Sequence, residues 1–184
     1  MTISVGCRAP SVNEILNGVV SSAMAVTDDS LRYSDPDLKV QAPGEISADA
    51  IKKIKGEIER ALLSDDFLQD WLGRFTTEPY SDVDLKGNAL KVTPARVAAT
   101  LKRASSLARS EGSRFAFTKG TKGGVAFFHN GDRIDLTGKA ALLAQEIANR
   151  VVIPIATIHG FFGDSGCQTL LASLLTSGAL VIED

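Results

Sequence analysis

The sequence predicts an α+β chain in which a mainly helical region precedes a winged-helix-like unit of mixed helices and strands. Three observations point there. Apolar residues recur at steps of three and four through the first part of the chain, the signature of amphipathic helices. Two alternating segments flank a glycine-rich KGTKGG further on, the signature of a hairpin or meander. The charge balance also changes sign: residues 1–83 carry eight Lys or Arg against fourteen Asp or Glu, whereas residues 84–184 carry twelve against eight. Two units with different surfaces are expected, joined near residue 83.

The elements follow in order. Thr2 to Val5 reads as a strand closed by Gly6, and Pro10 with Ser11 then starts a helix. Ser11 and Glu14 form a capping box, and Ile15, Leu16, Val19, Val20 and Ala23 place one apolar face on a helix to about Val26. Residues 28–46, rich in Asp, Ser, Pro and Gly, read as a long polar connection across a surface or against a neighbouring subunit. Ser47 caps the next helix, whose apolar positions Ile51, Ile54, Ile58 and Leu62 make one narrow stripe opposite lysines and glutamates. A third helix starts at Ser64 or Asp65 with Phe67, Leu68, Trp71, Leu72 and Phe75 as its face. Pro79 and Gly87 interrupt all periodicity.

Thr93 and Pro94 are an N-cap and first-turn pair opening a helix that carries Val97, Leu101 and Leu107 toward a core. Arg114 to Thr118 and Val125 to His129 read as strands, and Asn130-Gly131 as a tight turn. Thr137 caps a helix with Leu142, Leu143, Ile147 and Val151 as its face. VVIPIATIHGFF fits strand or buried helix, with a helix expected after Pro154. Asp164 or Ser165 caps a last helix with Leu170, Leu171, Leu174 and Leu175 as its face, and Ser177-Gly178 turns the chain into a final strand, ALVIE. Small strands packed on a three-helix core make residues 84–184 winged-helix-like, after a helical region over 11–83.

The residues offer little catalytic chemistry. With 44% apolar and 23% charged residues the chain is globular, and no apolar run reaches the length of a membrane span, so a cytoplasmic protein without membrane attachment is expected. Cys7 and Cys167 lack metal-type spacing and read as small buried residues. His129 and His159 are the only histidines, and His129 with Asp132 spans a tight turn, unlike a His-x-Asp pair on one strand. GDSGC at 163–167 reads as a helix cap. KGTKGG lacks the order of a phosphate loop and reads as a hairpin tip. Residues 91–122 hold Lys91, Arg96, Lys102, Arg103, Arg109, Arg114, Lys119 and Lys122 against Glu111 alone. A free-standing winged-helix module touching nucleic acid or a ribosomal partner is one reading of that stretch, although the last long helix has no Lys or Arg to read a groove. The helical region makes the stronger claim: its narrow stripes and the i, i+4 aromatics Trp71 and Phe75 suggest burial against another copy. The alternative is that Trp71 and Phe75 close the region's own small core.

Taken together, VGCRAPS, the run Tyr33-Ser-Asp-Pro-Asp, the helix end WLGRFTTEP and the terminal LLASLLTSGALVIED resemble the C-terminal half of the bacterial ribosomal oxygenases, cupin-fold JmjC-type hydroxylases. That resemblance implies an N-terminal cupin with Fe(II) and 2-oxoglutarate, a helical dimerisation region and a C-terminal winged-helix domain, with arginine of a large-subunit ribosomal protein as substrate. Residues 1–10 would then be the last cupin strand, with Thr2 and Ser4 sharing the face toward the iron pocket. The His-x-Asp segment and distal His of the family have no counterpart here, so no catalytic or metal ligand transfers, no cofactor is expected in this chain, and alone it should be silent. A homodimer through Ile51, Ile54, Ile58, Trp71 and Phe75 is expected.

Overall fold

The computed structural model of the chain describes residues 9–28, 30, 32–34, 36, 42, 44–79, 89–120 and 123–183. Compactness divides them into one unit ending at Trp71 and a second beginning at Leu72. The predicted junction near residue 83 lies outside the described residues.

The first unit is helical. Helix α1 spans Val12–Val26, and its capping box is complete: the Ser11 hydroxyl accepts from the Glu14 amide while Glu14 accepts from the Ser11 amide. Helix α2 spans Ala48–Leu62, capped by Ser47 at the Ala50 amide. Helix α3 spans Asp65–Thr77, with the Ser64 hydroxyl accepting from the Phe67 amide. Val19 and Ala23 of α1 are buried, as is Trp71. The Trp71 indole lies so close to Gly18 that a Cβ there would come within 3.0 Å of a ring atom.

The second unit mixes helices and two sheets. After a 3-10 turn at Pro94–Arg96 come α4 (Val97–Leu101), β1 (Ser106–Arg109), β2 (Phe115–Lys119), β3 (Val125–His129), β4 (Asp132–Leu136), α5 (Gly138–Ala148), β5 (Val152–Pro154), α6 (Ile155–Ile158), a 3-10 turn at His159–Phe161, α7 (Ser165–Thr176) and β6 (Leu180–Glu183). One antiparallel sheet has the order β5-β1-β6 and the other is the meander β2-β3-β4. Asn130 and Gly131 both have positive φ, the requirement of a type I′ turn between β3 and β4. The Asn130 side-chain oxygen also accepts from the Arg114 amide at 3.0 Å, pinning the hairpin to the start of β2. Leu143, Ile147, Leu171, Leu174, Phe127, Leu107 and Ile153 are fully buried in one core shared by the helices and both sheets.

Two expectations are corrected. Leu107 reaches the core from β1, not from the helix after Pro94, which ends at Leu101. Leu142 and Val151 are exposed, because α5 turns Ala140, Leu143, Ala144 and Ile147 inward and stops at Ala148. VVIPIATIHGFF, which fits strand or helix by periodicity, divides between them: Val152–Pro154 forms a strand because β1 supplies its ladder partner, and the helix expected after Pro154 follows at Ile155–Ile158.

Candidate functional site

Helix α2 is built the wrong way round for a self-contained unit. An amphipathic helix ordinarily turns its apolar stripe to the core, yet α2 contains no buried residue. Ile51, Ile54 and Ile58 are 59%, 44% and 50% exposed, whereas Lys53 and Gly56 on the other side are partly covered. Successive residues on one helical face three and four apart make these isoleucines a continuous stripe. On α1, Val12, Leu16 and Met24 are exposed as well. Trp71 instead fills its own unit against Gly18, and Phe75 is half-buried. Thr2 and Ser4 lie outside the described residues.

The end of α3 belongs to the second unit and is fastened to the β3–β4 hairpin. Gly73 packs on the buried Phe128 ring, the Thr77 hydroxyl accepts from the Gly131 amide at 3.2 Å, and Arg74 donates to the Gly131 carbonyl at 3.2 Å. Arg114 donates to the Glu78 carbonyl.

Two members of the basic stretch serve the fold, while Lys91, Arg96, Lys102, Arg103 and Lys119 are exposed. Arg109 donates to the carbonyls of Ala148 and Arg150 at 2.9 and 3.1 Å, closing the end of α5, and lies over the Phe115 ring. Arg114 is held as above, while Lys122 lies outside the described residues. Helix α7 turns six residues inward and offers no cation.

Among the described residues no three of His, Cys, Asp and Glu gather where a metal ion would bind. His129 is buried in β3 beside Phe127, with ring centroids 6.0 Å apart, and its Nδ1 has no partner among the described residues. His159 is exposed on the 3-10 turn against Phe162. These donors do not fit an iron centre. Cys167 is no nucleophile: burial, reinforced by the Asp164 carboxylate beside it, pushes its thiol up to about 12. The Asp164 side chain accepts from the Cys167 amide at 3.0 Å, so the GDSGC segment is the helix cap it was expected to be.

Burial holds the His129 imidazole below its ordinary value near 6.5, against a smaller opposing pull from Asp132. As pH falls through the unfolded value the unfolded chain gains a proton that the folded chain refuses, so stability is full above about 6.5 and declines below it. The urea midpoint is expected to fall more between pH ~7 and ~5 in the wild type than in His129→Phe. Equal pH dependence of the two midpoints would refute this.

Residues 57–181 match the model of the ROXA-like winged helix. The chain belongs to that family. The ribosomal protein uL16 3-hydroxylase of Escherichia coli (strain K12) is 24% identical over 179 residues, 97% of this chain and 46% of the relative. The X-ray structure of E. coli YcfD superposes with a TM-score of 0.79 at 20% identity, covering 96% of this chain and 46% of that one. YcfD, a ribosomal oxygenase from E. coli in complex with cobalt and succinic acid, superposes at 0.75 with 18% identity, over 96% and 48%. At these identities the structures establish a shared fold. This ROXA-like chain spans about half the length of the relative it matches.

Proposed function

We propose that this chain is the dimerising and winged-helix portion of a ribosomal protein hydroxylase. In the intact protein a cupin domain holding Fe(II) and 2-oxoglutarate would hydroxylate an arginine of a large-subunit ribosomal protein in the cytoplasm. This chain's share is to pair two copies and help dock the substrate. Its likeness over almost its whole length to just under half of the uL16 3-hydroxylase supports that division of labour. The observation that carries the dimer is the outward isoleucine stripe of α2, an apolar face that its own unit leaves uncovered. Burying such side chains is worth roughly 1.5–3 kcal/mol each, and a second copy brings the same stripe to the same place.

Light scattering is expected to give a dimer for the wild-type chain. Ile54→Asp with Ile58→Asp places two carboxylates in the proposed contact and should raise the dimer dissociation constant roughly a thousandfold. Both sites are exposed in the single chain, so its circular dichroism should not change. A wild-type chain that stays monomeric at the highest concentration it reaches would refute the pairing.

A further inference from the structure

The side of α2 opposite the isoleucines lines a groove of about 360 Å³ together with Tyr33 and Ser34. Lys52, Lys53 and Arg60 enter it from the helix, and among the described residues that line it these three cations face the single carboxylate of Glu57. Arg60 already holds that carboxylate in an ion pair. Lys55, which does not line the groove, is paired with Glu59 at 3.6 Å, but among the described residues neither Lys52 nor Lys53 has an ion-pair partner. Gly56 leaves the helix wall bare: a Cβ there would meet nothing within 4 Å, so the missing side chain makes space rather than close packing. The other wall carries the Tyr33 ring, 46% exposed. Asp35 and Asp37, which follow in sequence, lie outside the described residues.

The geometry points to a nucleotide-phosphate site, with phosphate between Lys52, Lys53 and Arg60 and a planar base against the Tyr33 ring. Unpaired ammonium groups attract a phosphate without first breaking an existing ion pair. An aromatic ring beside a basic groove is the arrangement that binds single-stranded nucleic acid with little sequence preference. The volume sits at the small end for ligand sites and suits one nucleotide. This inference does not rest on the dimer reading, since the isoleucines occupy the other side of the helix.

The test uses the whole chain with three probes: a labelled single-stranded oligouridylate followed by fluorescence anisotropy, and uridine monophosphate and inorganic phosphate followed by calorimetry. Oligouridylate is expected to bind and to weaken steeply with salt. Lys52→Glu with Lys53→Glu should weaken it at least about tenfold, and Tyr33→Ala about tenfold. Lys52→Gln with Lys53→Gln serves if the charge reversal disturbs the circular dichroism. Ile54→Asp with Ile58→Asp should leave uridine monophosphate binding per chain unchanged, which separates this result from the oligomeric state. Tight binding of uridine monophosphate identifies a free nucleotide as ligand, and much tighter binding of the oligomer identifies RNA; either upholds the site. No binding at low salt, binding indifferent to the lysine substitutions, phosphate binding as tightly as the nucleotide, or equal displacement by poly-glutamate would each overturn it.

Discussion

Phe127→Ala is expected to destabilise the winged-helix unit by about 3–5 kcal/mol, the range for emptying an aromatic site in a core. Phe127 is fully buried at the centre of β3, paired with Phe117 on one side and Ile134 on the other. Its ring lies 5.7 Å from that of Phe115 and 6.0 Å from that of His129, so truncation removes two ring contacts as well as the buried area. The site cannot collapse easily, because both neighbouring strands are locked to β3 by a continuous ladder. Such a loss is a large part of the ~5–15 kcal/mol that holds a domain together. Urea unfolding followed by circular dichroism would show it, with Leu142→Ala as the comparison: Leu142 is exposed and its truncation should stay within about 0.5 kcal/mol. A loss below about 1 kcal/mol at Phe127 would mean that the core is not organised around this ring.

The elements that could be read from the residues are those whose signals are local. Ser11 with Glu14, Ser47 and Asp164 each cap a helix through their own side chain, and the Asn130-Gly131 turn follows from two residues that tolerate positive φ. What escaped was decided at a distance. Strand β1 is four residues long and exists because β5 and β6 close on it from both sides, so Leu107 looked like the continuation of a helical face. Strand β5 has three residues and the same dependence. Burial of β3 on both of its faces also breaks the alternation rule: Val125 and Phe127 join the main core while Phe128 meets α3, a contact 55 positions away in sequence.

The candidate interface shows the same division. Spacing alone marked Ile51, Ile54 and Ile58 as a stripe, but spacing is silent on whether a stripe faces the chain's own core or a partner. Only the fold shows it turned outward. Trp71 carried the same kind of signal, but Gly18, the small residue that receives its ring, lies 53 positions earlier in the sequence, beyond the reach of any local pattern. The basic stretch at 91–122 was visible as composition; that Arg109 and Arg114 spend their charge on backbone carbonyls was not.

Gly73→Val is the second large expected effect, about 3 kcal/mol of lost stability in the winged-helix unit. A Cβ at position 73 would lie 2.4 Å from two atoms of the Phe128 ring and 2.5 Å from a third, inside any tolerable contact. Ring atoms at the end of a side chain often swing aside, but Phe128 is fully buried and has nowhere to go. The helix cannot retreat either, since Arg74 and Thr77 tie it to Gly131 within the next turn. Gly73→Ala separates the two forces at work. Alanine favours the helix by about 1 kcal/mol over glycine, so a gain in stability on that substitution would show that the ring yields. The clash predicts a loss instead. Shortening the ring in Gly73→Ala with Phe128→Leu should recover part of that loss, giving a coupling of about 1 kcal/mol or more between the two positions. Additive losses at 73 and 128 would remove the contact from the account of how this helix end is held.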